Sequence, residues 1–405
     1  MLTIAVLGTF DSKGEELGFV ANAVRRTGFT PLLVDVGTLN EPTVRPDVSR
    51  AEVLADFEED SRPVLARADR GECMTLMSRA AARYVGRLAG TGKIQGIISL
   101  GGGGGTAIAT AAMRSLPIGF PKVMVSTLAS GNVAAYVGVT DIVMIPAVVD
   151  VAGINRISRV IFENAAGAIC GMVKSAEQRR SAMSSEKPVV VASMFGHTTA
   201  CVDEARRIVE EAGYEVIAFH ATGMGGKAME SLIASGLVAG VLDITTTEWA
   251  DELVGGILTA GPERLNAAAA AGVPTIIVPG CLDMVNFGAP ETVPAKFSDR
   301  IFYQHNPQVT LMRTNSSECA QLGRILADKI NVYRGKVTVL WPLKGLSFIS
   351  SKGQPFYLPA ADAAMLESLK CRLRKDIPLI EMDCEINDPA FARTCAERLL
   401  ENLNS

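Results

Sequence analysis

The feature that most restricts the fold of this chain is a pattern stated twice. Residues 4–38 read "IAVLGTFDSKGEELGFVANAVRRTGFTPLLVDVGT", and residues 189–223 read "VVVASMFGHTTACVDEARRIVEEAGYEVIAFHATG". Both run from an apolar strand through a polar loop and an amphipathic helix to a glycine, an aromatic residue and a second strand. The correspondence continues: "IQGIISLGGGGGTA" (94–107) answers "VAGVLDITTTEWAD" (238–251), and "PKVMVSTLASGN" (121–132) answers "PTIIVPGCLDMVN" (274–286). Short β-rich runs alternating with helical runs predict parallel strands, since a parallel pair needs a long crossover and a helix supplies it. The repeat therefore predicts an α/β chain of two tandem Rossmann-like domains, each with a doubly wound, mainly parallel sheet. The polar run "KSAEQRRSAMSSEKP" (174–188) reads as a linker or helix end, giving domains of 1–184 and 185–405. The helix–strand plan is expected to carry on through "QVTLMRT", "VTVLWPLKG" and "PLIEMDCEIND". Residues 40–70, polar and holding Pro42, Pro46 and Pro63, read as an insertion.

Composition narrows the function. The 405 residues carry a net charge of -4 and no basic run beyond Arg179–Arg180, which argues against nucleic acid as a partner, because phosphate backbones demand clustered Lys and Arg. None of the eight cysteines forms a CxxC pair, so a reducing, cytoplasmic setting is expected. The first residues read as a strand rather than a leader. No uninterrupted apolar stretch of ~20 residues occurs, so no membrane span is expected.

The stretch "SLGGGGGTAIATAAMR" (99–114) bears most heavily on function. Gly101, Gly102, Gly103, Gly104 and Gly105 stand between an apolar strand and a helical run starting near Ala107. Each glycine costs ~0.5–1 kcal/mol of backbone entropy, so five in a row imply that side chains are excluded by something approaching the backbone. A glycine loop ending in Thr106 at a helix start offers free N–H groups and a positive dipole end, a site for phosphate. Close packing of strand on helix is the competing explanation.

In a sheet of flavodoxin-like order, the crevice lies between the loops after strands one and three. Thr9, Asp11, Ser12 and Lys13 should then face the glycines. Lys13 suits a phosphate, Asp11 a Mg²⁺ or a ribose hydroxyl; helix capping explains Asp11 and Ser12 equally well. Asp35 ends strand two, where an acid can bond a ribose or simply serve a turn. Ser126, Thr127, Ser130, Gly131 and Asn132, after strand four, reach the same crevice. No GxxxxGK[ST] loop is present, and the glycine run fails GxGxxG. "GMGGKA" (223–228) fits GxGxxA but comes after the second strand of its domain.

The equivalent loops of the second domain gather His197, His220, Asp243, Thr245, Thr246, Thr247, Glu248, Cys281 and Asp283. These groups frame a second reading, an enzyme acting on a small-molecule substrate between the domains, with His197, Asp243, Glu248 and Asp283 as acid, base or metal ligands. His305 lies in a later insertion. No HxH or HxxxH spacing supports a metal, and nothing singles out a Cys281–His pair.

The stretches "LGTFDSKGEEL", "LGGGGGTAIAT", "STLASGN", "VLDITTTEWAD" and "PGCLDMVNFG" resemble the ATP-binding domain family named for the tomato mosaic virus replication inhibitor. The resemblance spans nearly the whole chain. It implies two Rossmann-like subdomains, ATP with Mg²⁺ held by the N-terminal one, and homodimers. The nucleotide site it implies falls on Thr9, Asp11, Lys13, the glycine run and residues 126–132. The plant member's antiviral role depends on one viral partner and does not transfer, nor does the chemistry of the C-terminal TIM barrel found in some relatives.

Overall fold

The computed structural model describes residues 2–57, 60–67, 69–182 and 186–404. The chain divides into two compact units, Met1–Ser185 and Glu186–Ser405, and is an α/β protein of two Rossmann-like domains.

In the first unit, β1 (Thr3–Gly8), β2 (Thr30–Asp35), β3 (Gly96–Gly101), β4 (Lys122–Ser126) and β5 (Val143–Pro146) form one parallel sheet in the order β2-β1-β3-β4-β5. The three inner strands are apolar on both faces, as a sheet covered on both sides requires. α1 (Phe10–Arg26) and α7 (Arg156–Ala182) pack one face through Leu17, Val20, Phe162 and Ile169. α4 (Arg70–Gly90) and α5 (Gly103–Arg114) pack the other through Met77, Val85, Ile108 and Met113.

Three local expectations change. The 40–70 segment holds two short helices, α2 (Arg50–Ala55) and α3 (Arg62–Arg67), the first closed by a Ser49–Glu52 capping box. The helix after the glycines starts at Gly103, four residues earlier than expected, because the Thr106 amide already bonds the Gly102 carbonyl. The polar run from 174 is helical as far as Ala182, since Lys, Ala, Glu, Gln and Arg are good helix formers; residues 183–185 lie outside the described residues. A four-residue α6 (Ala134–Val137) comes after the loop that leaves β4.

In the second unit, β6 (Val189–Met194), β7 (Glu215–His220), β8 (Val238–Thr245), β9 (Thr275–Gly280), β13 (Val337–Pro342) and β14 (Leu379–Met382) form a parallel sheet ordered β14-β13-β9-β8-β6-β7. Its helices include α8 (Thr199–Glu211), α9 (Met224–Ala234), α10 (Glu248–Val254), α11 (Asn266–Ala271), α12 (Ser316–Asn331), α13 (Pro359–Arg372) and α14 (Pro389–Asn404). "QVTLMRT" does not join this sheet. It forms β12 (Val309–Arg313) of an antiparallel sheet with β10 (Met284–Phe287) and β11 (Phe302–Asn306), ordered β10-β12-β11. Only two residues separate β11 from β12, enough for a hairpin and far too few for a parallel crossover. Among the described residues no helix is long and apolar enough to cross a membrane.

Candidate functional site

Three adjacent strands of the first sheet end together. Leu7 of β1 pairs with Ser99 of β3, and Gly101 of β3 with Ser126 of β4. Thr9, Gly102 and Thr127 therefore come side by side, each about one residue past its strand. Every helix of a parallel βα unit begins at this edge, so its positive end points there.

α5 is the helix whose first turn is built from glycine. Gly102 is its N-cap and supplies no side-chain bond; Gly103, Gly104 and Gly105 are its first three residues. Their amides are the donors that a helix cannot satisfy internally, and no backbone acceptor takes them among the described residues. None of the five glycines has a positive φ, so backbone conformation does not demand them. Packing demands little: an added Cβ would meet nothing nearer than 3.8 Å at Gly102, 3.8 Å at Gly103 and 3.7 Å at Gly105. At Gly101 it would come 3.2 Å from the Gly105 Cα, and at Gly104 3.1 Å from the flexible end of Met74. Protein atoms alone thus explain at most two of the five.

The neighbouring groups sort into scaffold and rim. The Thr106 and Ser126 hydroxyls are fully buried and bond each other at 2.7 Å, and the Leu128 amide bonds Ser126 Oγ at 3.0 Å. They position the edge rather than line it. Thr127, Ser130, Gly131 and Asn132 are exposed or half-exposed, and Asn132 caps the Ala134 amide. Thr9 is half-buried and caps α1 with no side-chain bond; its Oγ1 accepts from Ser12. Asp11 Oδ2 accepts from the Leu39 and Asn40 amides, which anchors it to the loop after β2. Lys13, in a non-helical kink of α1, donates to the Val151 carbonyl beyond β5. Asp35 is buried and accepts from the Phe10 and Gly37 amides; burial raises its pKa above the usual range. It serves the turn at the end of β2.

One cation escapes sequence reading. Arg70, the first residue of α4, brings its Nη2 to 3.8 Å from where a Gly104 Cβ would sit. Its guanidinium has no hydrogen bond or ion pair among the described residues. Chain order holds the signal for it: a helix that comes after β2 must also start at the carboxyl edge, so its first cation stands beside the next helix start.

The second unit treats its own glycine-rich helix start in the opposite way. Glu248 Oε1 accepts from the Gly223 and Gly226 amides at the head of α9, at 2.8 and 3.0 Å. A Cβ on Gly226 would strike that carboxylate at 2.2 Å, and one on Gly225 would strike the His220 carbonyl at 1.7 Å. "GMGGKA" is thus a packing motif already filled by an internal anion. Arg264, fully buried, bridges Asp243 (two bonds of 2.6 Å), Glu248 (2.7 Å) and Glu230 (3.1 Å), while Ser193 Oγ donates to Asp243. Asp243 and Glu248 are therefore consumed in a buried ion network, and burial raises the Glu248 pKa.

Of the remaining candidates of that unit, Thr245 joins this network through its backbone, its carbonyl accepting from Arg264 at 3.3 Å and its amide donating to Ser193 Oγ. Asp283 is buried, bonded at Oδ2 by Ser347, with Oδ1 unpartnered; burial raises its pKa. Cys281 has a positive φ of 58° and is fully buried; burial first, then Asp283, push its thiol well above the ordinary range, so it is no ready nucleophile. Thr245, Thr246 and Thr247 are buried, and Thr245 bonds Thr198. His220 is exposed. His197 stands with its ring against His305, and burial followed by that neighbour hold its pKa down to about 4. Among the described residues no cluster of three or more His, Cys, Asp or Glu has metal-holding geometry.

The same unit holds a pH-sensitive carboxyl. Asp251 accepts from the Asn286 side chain and from the Asn286 and Leu258 amides, and burial raises its pKa to about 7. A raised folded-state pKa gives stability that is complete below the unfolded value and lost as pH rises through the folded one. Stability of this unit should thus fall by up to about 4 kcal/mol between pH 4 and 7 from this group, at about 1.4 kcal/mol per pH unit. Asp251→Asn should flatten that slope in urea titrations and raise stability at pH 8. The Asn286 Oδ1, which has no partner, can accept the new amide after a flip of its own.

The chain matches the N-terminal domain of the Uncharacterised protein family (UPF0261) over residues 2–178 and its C-terminal domain over residues 187–403. It is 47% identical to a UPF0261 protein of Clostridium tetani over 98% of both chains, and 49% identical to one of Rhizobium meliloti over 97% of both. It is 37% identical to the ToMV resistance protein Tm-1(GCR237) of Solanum lycopersicum, across 98% of this chain and 55% of that one. Among solved structures, a putative UDP-N-acetylglucosamine 2-epimerase from Listeria monocytogenes overlaps 68% of this chain and 79% of its own, at 10% identity and a TM-score of 0.23. Likeness that remote identifies no activity. On both halves of its sequence, the chain belongs to the uncharacterised protein family UPF0261.

Proposed function

We propose that the chain binds a nucleotide, ATP with Mg²⁺, through its N-terminal unit, with the phosphates seated on the first turn of α5. The observation that carries this reading is the open amide set of Gly103, Gly104 and Gly105, kept clear of side chains where protein packing leaves room for them. Three amides and a helix dipole favour a multiply charged oxyanion. The contrast with α9 supports it, since there a carboxylate of the chain itself fills the equivalent need. Thr9, Thr127 and Arg70 border the seat, with Ser130, Gly131 and Asn132 on the rim and Lys13 behind. Asp11 keeps Oδ1 without a hydrogen-bond partner among the described residues, a ligand type suited to a Mg²⁺ held mainly by phosphate and water.

Calorimetric titration of the full chain with ATP, with and without Mg²⁺ and with NAD as control, tests this. Saturable binding of ATP that Gly103→Val abolishes is the expected result; a Cβ at this position meets only Leu128 Cδ1 at 3.8 Å, so folding should survive. Arg70→Ala should weaken ATP binding about tenfold, the loss of one charge-assisted hydrogen bond. Absent binding of ATP, or affinity indifferent to Gly103→Val, overturns the assignment.

A further inference from the structure

We propose that His197 and His305, with Tyr303 beside them, form a site for a divalent transition metal of the zinc type in the C-terminal unit. This site is independent of the nucleotide reading. The two histidines lie 108 positions apart, His197 after β6 and His305 on β11, and the fold brings their ring centroids to 5.5 Å at an interplanar angle of 75°. Two imidazoles sharing one tetrahedral ion, with metal–nitrogen bonds of ~2.0–2.1 Å, hold their ring centres about 5–6 Å apart. A break in the strand register explains how His305 gets there. β11 pairs Gln304 with Thr310 and then Asn306 with Val309, leaving His305 without a ladder partner. Bulges of this kind re-aim one side chain out of the regular alternation. Tyr303 turns its ring to the same place, 6.5 Å from His197.

His197 carries a second mark of a ligand. Its Nε2 is buried and has no hydrogen-bond partner, and the exposed His305 ring stands beside it. A buried ring nitrogen without a partner is costly, and a bound metal ion would satisfy it. The donor set also selects the ion. Imidazole nitrogens suit zinc, copper or nickel, whereas magnesium and calcium require oxygen donors. Two imidazoles supply half of a four-coordinate shell, and water would complete it, so the site is an open one rather than a closed structural one. The ion would tie the β11 hairpin to the loop after β6.

The test uses the untagged full chain, stripped of metal and titrated with Zn²⁺ against a chromogenic chelator at neutral pH. One equivalent per chain is expected. His197→Gln and His305→Gln should each weaken binding at least tenfold, while His220→Gln, at an exposed position of another loop, should leave it unchanged. Circular dichroism melting shows whether each variant folds. Co²⁺ added to the unmodified chain gives a reading that needs no variant: strong visible bands mark four-coordinate binding. Absence of a stoichiometric equivalent, a Co²⁺ spectrum like that of the hydrated ion, or affinity unchanged in both folded histidine variants overturns the proposal and leaves the rings as simple packing.

Discussion

Gly105→Asp should abolish ATP binding while leaving the protein at least as stable as before. Gly105 is the third residue of α5, and a Cβ there meets nothing nearer than the Leu100 carbonyl at 3.7 Å. Replacing a helical glycine by aspartate recovers about 0.3 kcal/mol of propensity, and a carboxylate in the first turn adds about 0.3–1 kcal/mol through the dipole. The same carboxylate occupies the amides that phosphate would use and repels it, at a cost to binding of about 3 kcal/mol or more, a hundredfold in affinity. The variant would copy in the first unit what Glu248 does at α9 in the second. Melting temperature and calorimetric titration, measured on one preparation, separate the two effects. A variant that melts normally and still binds ATP with unchanged affinity removes the nucleotide from α5.

Arg264→Leu is expected to be the most damaging single change in the C-terminal unit. Arg264 is fully buried and neutralises Asp243, Glu248 and Glu230 together. Removing one partner of a buried ion pair costs about 3–5 kcal/mol, because the charge left behind has neither water nor a counter-ion. Here three carboxylates lose their cation. Arg264→Lys should rescue only part of the loss, since one ammonium cannot reproduce the two-pronged contact with Asp243 and the separate bond to Glu248. Urea unfolding followed at Trp249 and Trp341, both in this unit, reads the loss directly. A destabilisation below about 1 kcal/mol would show that the network contributes little.

The glycine run illustrates both the reach and the limit of reading residues in order. Five glycines after an apolar strand are enough to mark a strand end and a helix start. The point where the helix begins, Gly103 instead of Ala107, depends on one bond from Thr106 to Gly102, and no propensity scale contains it. Asp243 and Glu248 show the opposite failure. Their position at a carboxyl edge suggests chemistry, yet Arg264, a lone cation in "GPERLN" whose sequence neighbours do not point to either acid, binds both. Arg70 carries no local mark either, because its helix precedes the glycine helix by a whole strand and nothing in the residues around it points to the glycines.

The sequence by itself determined the two-unit α/β plan, because the alternation of strand and helix periods recurs along the chain, and local periodicity decides which segments bury which faces. It also marked the carboxyl edges where ligands of such sheets gather. Only the tertiary structure decided which helix start is open and which is stoppered, that "QVTLMRT" joins an antiparallel hairpin sheet, and that His197 meets His305. Each of these depends on contacts between residues that local periodicity does not connect, some of them more than a hundred positions apart. Side-chain charge or hydrogen-bonding capacity says nothing about its partner until the chain has brought the two together.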